Sequence, residues 1–322
     1  RGLGDVYKRQ ILAHSMNIPT VIGIGDEFLA NIRPGEQALV DGFSGEVILE
    51  PDAGVLSKLT APQEKSTDTS EGTHTADGTH VSIYSVDDPC APLPEYADGI
   101  AVFGCPLLSD ETKQYEYYRA IAERTPDCRA IIRMPVISPK DPDRQIKYDQ
   151  QIRAVFRAAS HGEPGILFPM ITSVPEARKI LAACDDAKME LRAEGVKCSE
   201  NVKIGFMVEI PAAAIISDCL APMADFFIID SDSIARHTLA CYEEDCFSPD
   251  FADGQLEAVM RLIGNSARNA VKNGARIGIC GSLAGDTSLT GDFLRMGIDN
   301  FCVTPDRLAE VRKRVTEVDL EV

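Results

Sequence analysis

Residues 165–208 read GILFPMITSVPEARKILAACDDAKMELRAEGVKCSENVKIGFMV, and this segment alternates between two kinds of hydrophobic pattern. A short apolar run at 165–170 predicts a buried β-strand, and a second run at 202–208 predicts another. Between them, residues 174–193 carry apolar side chains at helical spacing, which predicts an amphipathic α-helix. A strand, a helix and a strand in this order predict parallel strands joined by a helical connection.

The same alternation extends outward from this segment over most of the chain. Further apolar runs predict strands at 81–86, 99–103, 130–133, 224–229, 276–280 and 300–303. Amphipathic stretches predict helices at 111–124, 148–160, 256–273 and 306–318. Eight strands with intervening helices over about 240 residues predict an α/β fold of the (β/α)₈ TIM-type barrel class. A doubly wound open sheet is the rival, but the glycine-rich first turn typical of that fold is absent from the sequence.

The chain before the barrel divides into three segments by composition. Residues 1–10 match nothing that follows and could be foreign sequence, whereas residues 11–52 form a compact block with a predicted hairpin at 38–49. Residues 53–80 are expected to be a flexible linker, because the stretch is rich in Thr, Ser, Asp and Gly and poor in large apolar side chains. The barrel is then expected to occupy residues 81–322.

Composition excludes several classes of protein. The net charge of −18 argues against nucleic-acid binding, which usually requires a basic surface. No apolar run approaches the roughly 20 residues of a membrane helix, so no membrane insertion is expected. The ten cysteines form no CxxC pair or zinc spacing, which indicates reduced thiols and a cytoplasmic location.

Polar residues stand at the carboxyl ends of four predicted strands, where the side chains of a barrel converge on one face. Glu209 ends the fifth strand and suits Mg²⁺ coordination, although a salt-bridged surface Glu is the alternative. Cys280 ends the seventh strand beside Gly281, whose small size lets a ligand approach the backbone. This thiol could donate a proton or act as a nucleophile, or it could simply be a small buried side chain.

Two further strand ends carry charge. Arg133 ends the third strand and could grip a phosphate or carboxylate with two hydrogen bonds, or it could be an ordinary surface Arg. Asp230 and Asp232 follow the sixth strand, where they could coordinate a metal or cap a loop.

These motifs together resemble the phosphoenolpyruvate-utilising enzyme family, and within it the Enzyme I type of phosphoenolpyruvate–protein phosphotransferases in bacterial sugar uptake. The early block resembles part of the family's phosphohistidine (swivelling) domain through NIPTVIGIG at 17–25 and VDGFSGEV at 40–47. The barrel resembles the phosphoenolpyruvate-binding domain through LFPMITSV at 167–174, MVEIPAA at 207–213 and GICGSLAGD at 278–286.

The resemblance implies a phosphotransfer reaction. Phosphoenolpyruvate would bind at the rim with Mg²⁺, and its phosphoryl group would pass to a histidine and then to the carrier protein HPr, leaving pyruvate. Glu209 matches the metal-binding Glu, and Arg133 matches a substrate-binding Arg. Cys280 matches the cysteine that protonates the departing enolate. Asp232 is expected to contribute to the metal and substrate sites, Gly281 to the substrate site, and the barrel to form a homodimer.

The sequence also departs from the family pattern. Lys8 stands where the family has its phosphoacceptor His, and the upstream HPr-binding region is missing, so we expect an N-terminally truncated sequence. Gly104 lies where the family has an Arg-Thr-Glu run, and residues 136–140 replace an Asp-Ile-Gly-Gly-Asp-Lys stretch. Ser233 replaces a metal-binding Asp, and residues 243–245 replace an Arg-Gly-Asn run with acidic residues.

These departures leave two hypotheses open. Removing one charge-assisted hydrogen bond to a phosphorylated substrate costs roughly 1.5–3 kcal/mol. The chain is therefore either a divergent phosphotransferase or a catalytically degenerate relative that keeps the barrel for a regulatory or scaffolding role.

Overall fold

The computed structural model of the chain describes residues 21, 28, 33, 36–41, 46–51, 72–86, 93–94, 96–125, 130–162, 164–199, 201–241 and 256–320. The chain separates into two compact units, Arg1–Asp68 and Thr69–Val322. The segment at 1–10, the motif at 17–25 apart from Val21, and the acidic residues at 243–245 lie outside the described residues.

The described part of the first unit is a β-hairpin. Strand β1 (Ala38–Asp41) pairs antiparallel with β2 (Glu46–Leu49), and Ala38 stands opposite Leu49. This confirms the hairpin that the Asp-Gly and Ser-Gly turn signals predicted.

The second unit begins with β3 (Thr73–His74), β4 (His80–Ser85) and β5 (Gly99–Val102). The middle of the barrel comprises α1 (Glu111–Arg124), β6 (Ala130–Arg133), α2 (Arg144–Ala158), β7 (Gly165–Phe168), α3 (Val174–Ala193) and β8 (Ile204–Val208). Two short helices follow, α4 (Pro211–Ile215) and α5 (Ser217–Leu220), and then β9 (Phe226–Asp230), α6 (Ser231–Leu239) and α7 (Leu256–Lys272). The last elements are β10 (Arg276–Cys280), α8 (Thr290–Arg295), β11 (Asn300–Val303) and α9 (Leu308–Glu317).

Strands β4 to β11 form a closed parallel barrel. Each strand pairs in parallel with the next in the chain, and β11 returns to β4 with Asn300 opposite Ser82. This closure confirms the predicted (β/α)₈ barrel and rules out an open doubly wound sheet. Because all eight strands run the same way, their carboxyl ends lie on one rim.

One buried apolar side chain from each barrel strand belongs to a cluster inside the barrel, with Phe226 among the side chains packed against it. Its members are Tyr84, Ala101, Ile131, Leu167, Met207, Ile228, Cys280 and Cys302. Near the amino ends, the ring of Phe226 lies so close to Gly205 that an added Cβ would be 2.3 Å from a ring carbon. A glycine is therefore required in β8 for this aromatic side chain to pack against the strand.

The helices pack on the outside of the barrel, as their hydrophobic pattern predicts. In α3, Ser173 caps the first turn by accepting the Glu176 N–H, and a proline lies in that turn. The buried side chains of α3 recur every three or four residues and face the strands: Ala177, Ile180, Cys184, Ala187 and Leu191.

The barrel unit begins earlier than the end of the predicted linker at residue 80. Strand β3 pairs antiparallel with β4, and Thr73 and Thr75 are buried. The Thr75 and Thr79 hydroxyls donate to the Asp77 carboxylate at 2.6 and 2.8 Å, and the Ala76 N–H donates to the Val318 carbonyl. Hydrogen bonds order residues 72–80, where apolar content alone predicted a flexible chain. In the part of the chain that the structure describes, no helix is long and apolar enough to cross a membrane.

Candidate active site

Three of the polar strand ends meet because of the register of neighbouring strands. Val208 of β8 stands opposite Ile229 of β9, so the next residues along, Glu209 and Asp230, are also neighbours. Asp230 in turn stands opposite Cys280 of β10. The register therefore lines up two carboxylates and a thiol along one arc of the carboxyl rim.

Arg133 reaches this arc from β6, at the end of its own strand. Its Nη2 donates to Glu209 Oε2 at 3.1 Å, and its Nε contacts Met207 Sδ at 3.0 Å. The two charged side chains are largely buried, with exposed fractions of 20% for Arg133 and 4% for Glu209. A buried carboxylate needs such a partner because an unpaired buried charge is strongly unfavourable.

The second carboxylate oxygen of Glu209 is also engaged. The backbone N–H of Met170 donates to Oε1 at 2.6 Å. Met170 follows β7 and has a φ of 57°, a left-handed conformation that is uncommon for a residue other than glycine. The local backbone is thus held in an unfavourable conformation at the point where its N–H meets the Glu209 carboxylate. Each oxygen of Glu209 therefore already accepts a hydrogen bond within the protein.

The junction of β9 and α6 forms a second group of polar contacts. Asp230 caps α6, since its Oδ1 accepts the N–H groups of Asp232 and Ser233 and its Oδ2 accepts the Ser233 hydroxyl at 2.7 Å. The Nη2 of Arg236 donates to the same hydroxyl at 2.9 Å. The Nε of Arg236 is buried and has no hydrogen-bond partner among the described residues.

Asp232 and Gly281 bring the loops after β9 and β10 together. Asp232 Oδ1 accepts the Ser282 N–H at 2.9 Å. Gly281 has a φ of 89°, and a Cβ at this position would lie 2.5 Å from Ser231 Oγ and 2.9 Å from the Asp232 carboxylate. Burial raises the pKa of Asp232, while the Ser282 N–H lowers it and the neighbouring Asp230 raises it further. This loop contact alone requires glycine at position 281.

Cys280 is a buried thiol that stays protonated at neutral pH. Burial raises its pKa well above the ordinary value, and the charges of Asp230 and Asp232 act in the same direction. The guanidinium of Arg133 opposes this effect. It also opposes the effect of burial at Cys105, whose pKa is raised to about 12. A protonated thiol facing a cationic side chain can donate a proton to a bound enolate.

The five residues singled out in the sequence therefore lie around a single mouth of the barrel: Arg133, Glu209, Asp232, Cys280 and Gly281. Their catalytic and binding roles stay predictions. Sequence reasoning did not identify Met170, Arg236 or His237, whose Nδ1 lies 3.0 Å from the Glu209 carbonyl oxygen. The Arg-His pair at 236–237, soon after the β9 strand end, was the available signal, whereas the positive φ of Met170 has no sequence signature.

The described residues fit a Mg²⁺ ion poorly. Mg²⁺ prefers octahedral oxygen ligands, usually one or two carboxylates together with substrate oxygens and water. Glu209 already holds a guanidinium, and Ser233 offers a neutral hydroxyl bonded to Asp230 and Arg236. Within the described ranges, no group of three or more His, Cys, Asp or Glu side chains could hold a metal ion.

Comparison with known proteins identifies the family of the barrel. The family model of the PEP-utilising enzyme, PEP-binding domain, matches residues 137–320. The chain belongs to the PEP-utilising enzyme family. It is 28% identical to the phosphoenolpyruvate–protein phosphotransferases of Priestia megaterium and Streptococcus equinus, over 98% of this chain and 62% of each relative. The chain thus spans 62% of the length of these curated relatives.

Solved structures share the barrel at low sequence identity. A malate synthase from Haloferax volcanii has a TM-score of 0.53 and 13% identity, covering 79% of this chain and 76% of its own. A citrate lyase from Burkholderia xenovorans has a TM-score of 0.52 and 15% identity, covering 78% of this chain and 80% of its own. At these identities the likeness concerns the fold alone.

Proposed function

We propose that the carboxyl rim of this barrel binds phosphoenolpyruvate and that the chain is part of a cytoplasmic PEP-dependent phosphotransferase. The observation that supports this function best is the arrangement of three side chains around one mouth. Arg133 donates to Glu209 at 3.1 Å, and Glu209 lies next to Asp230, which stands opposite Cys280 in the sheet. A cation and a proton donor then face the same small space in a PEP-binding family member.

The roles of the residues follow from their chemistry. The Arg133 guanidinium offers paired donors that match a carboxylate or phosphate group. Glu209 and Met207 fix the orientation of that guanidinium through contacts to Nη2 and Nε. A side chain held in this way loses little conformational entropy when a ligand binds.

Cys280 supplies the proton in the second half of the reaction. Loss of the phosphoryl group to an acceptor histidine leaves the enolate of pyruvate. The S–H bond of Cys280 breaks as a C–H bond forms at the methylene carbon, which yields pyruvate and a thiolate. The thiolate then recovers a proton from water. In the proposed pathway the phosphohistidine passes its phosphoryl group to an HPr-type carrier protein.

A calorimetric titration of the chain with phosphoenolpyruvate tests this function. We expect a dissociation constant in the millimolar range or tighter, and Arg133→Gln is expected to weaken binding at least about tenfold, the equivalent of one charge-assisted contact. Arg276→Gln is the matched control, because Arg276 begins β10 at the opposite end of the barrel from Cys280. Failure of the unaltered chain to bind phosphoenolpyruvate would refute the proposal.

A second candidate function is a non-catalytic role, in which the barrel acts as a regulatory or scaffolding partner. Two observations favour this function. Both Glu209 oxygens already accept hydrogen bonds within the protein, and Ser233 has a neutral side chain that is bonded to Asp230. In either case we propose that the barrel forms a homodimer. Light scattering should then give the mass of two chains, and a mass of one chain at micromolar concentration would exclude a stable dimer.

A further inference from the structure

We propose that the rim binds its anionic ligand through the guanidinium groups of Arg133 and Arg236 and without a divalent metal ion. This inference rests on the proposed function, since it concerns how phosphoenolpyruvate is held. It differs from the Mg²⁺ site that the family resemblance predicts.

Glu209, the residue expected to coordinate Mg²⁺, already has a donor on each oxygen. These oxygens accept hydrogen bonds from Arg133 Nη2 at 3.1 Å and from the Met170 N–H at 2.6 Å. Only 4% of the side chain is exposed. Each oxygen keeps a second lone pair, but a Mg²⁺ ion bound there would lie beside the fixed positive charge of Arg133. The guanidinium therefore occupies the electrostatic position that a metal would otherwise fill.

Ser233 stands at the position where the resemblance expects a second metal-binding carboxylate. Its hydroxyl donates to Asp230 and accepts from Arg236. A neutral hydroxyl is a much weaker Mg²⁺ ligand than a carboxylate. Arg236 thus brings a second positive charge to a point where the family pattern requires a negative one.

Arg236 keeps a donor that a ligand can use. Its Nε is buried and has no hydrogen-bond partner within the described part of the chain. Buried N–H groups are almost always paired, so a bound anion or a water molecule is expected at this Nε. The charge of Arg236 also acts on Asp232, which contacts the loop after Cys280. Arg236 also donates to the Ser233 hydroxyl, which donates to Asp230. Asp230 stands opposite Cys280 in the sheet, so Arg236 lies near the proposed proton donor.

Guanidinium groups and Mg²⁺ hold a phosphate in different ways. A guanidinium presents several N–H donors to phosphate or carboxylate oxygens, whereas Mg²⁺ needs oxygen ligands in near-ideal octahedral geometry. The rim supplies the guanidinium donors, and both oxygens of Glu209 already accept protein N–H groups. A small anion with carboxylate or phosphate oxygens is the ligand that these donors fit.

The closing experiment is a pair of calorimetric titrations of the full chain with phosphoenolpyruvate, one with EDTA and one with millimolar Mg²⁺. We expect dissociation constants that agree within about twofold, a difference well under one charge-assisted contact. Binding seen only with Mg²⁺ would overturn this inference and leave the proposed function intact. Absence of binding under both conditions would overturn the proposed function and this inference with it.

Glu209→Gln separates the two modes by the size of its effect. Removal of a metal ligand should cost at least about tenfold in affinity for phosphoenolpyruvate, whereas loss of the group that orients Arg133 should change affinity in EDTA by less than about tenfold, because a competing negative charge is lost with it. Arg236→Gln should weaken binding at least about tenfold, and Arg236→Lys should recover part of that loss. Arg276→Gln is the control, and circular dichroism verifies the fold of each variant. A tenfold loss in Glu209→Gln with a native fold, or no loss in Arg236→Gln, would contradict the inference.

Discussion

The Arg133–Glu209 ion pair should stabilise the barrel strongly enough to measure. Two unit charges separated by 3.1 Å attract each other by about 5 kcal/mol at the effective dielectric constant of about 20 that suits protein sites. Desolvation of the two groups offsets part of this attraction, because both side chains are largely buried. Removing one partner leaves the other charge buried and unpaired, which typically costs about 3–5 kcal/mol.

Glu209→Gln is a milder change than truncation. The Gln oxygen can still accept the Met170 N–H, but the Gln NH₂ then faces the Arg133 donor, so both the charge and the hydrogen bond to Arg133 are lost. We expect the free energy of unfolding to fall by about 3 kcal/mol. Domains are typically stable by about 5–15 kcal/mol, so the variant should remain folded and suitable for binding studies.

Denaturant unfolding followed by far-UV circular dichroism measures this difference. The double variant Arg133→Met with Glu209→Gln leaves no buried charge unpaired, so it should lose less stability than the two single changes summed. A coupling energy above about 1 kcal/mol would support the pair. A loss below about 1 kcal/mol in Glu209→Gln, or additive effects in the double variant, would refute the reasoning about this site.

Three further predictions test other parts of the rim. Gly104→Arg should tighten phosphoenolpyruvate binding about tenfold or more in calorimetry, because a Cβ at Gly104 meets no atom within 4 Å and the new side chain adds a cation where the family pattern has an Arg; weaker binding would contradict this. Gly281→Ala should lower the free energy of unfolding by about 2 kcal/mol or more in denaturant unfolding, because the φ of 89° at Gly281 and its approach to Ser231 exclude a Cβ. Unchanged stability would show that the loop does not have this backbone conformation. The chain should catalyse exchange of the methyl protons of pyruvate with D₂O, and NMR measures the exchange rate. This rate should rise about tenfold per pH unit across neutral and mildly alkaline pH. Burial raises the pKa of Cys280, and only its thiolate can remove a proton. Cys280→Ala should abolish the exchange and leave ligand binding nearly unchanged, and a plateau near the ordinary thiol pKa would contradict this assignment.

The fold was predictable because each element carries its own local signal. The alternation of apolar runs with amphipathic segments gives the order of strands and helices, and eight strand–helix units without the glycine-rich first turn of a doubly wound sheet favour a closed barrel. The same logic places Arg133, Glu209 and Cys280 on one rim, since all three stand at carboxyl ends of strands.

The contacts within the rim were not predictable from the sequence. Arg133 and Glu209 are separated by 76 residues in the chain, and their pairing depends on side-chain geometry across the barrel mouth. The Met170 N–H reaches Glu209 because Met170 has a left-handed backbone conformation, which no sequence motif predicts. The order at residues 72–80 depends on hydrogen bonds around Asp77, whereas a hydropathy pattern reports only apolar burial.

A crystal structure of the chain with phosphoenolpyruvate tests the central claim most directly, namely that Arg133, Glu209 and Cys280 surround a single site for one small anion. We predict phosphate or carboxylate oxygens within hydrogen-bond distance of Arg133. We also predict that the methylene carbon lies about 3–3.5 Å from the Cys280 sulfur. A ligand bound away from the carboxyl rim, or one whose methylene carbon faces away from Cys280, would contradict the account.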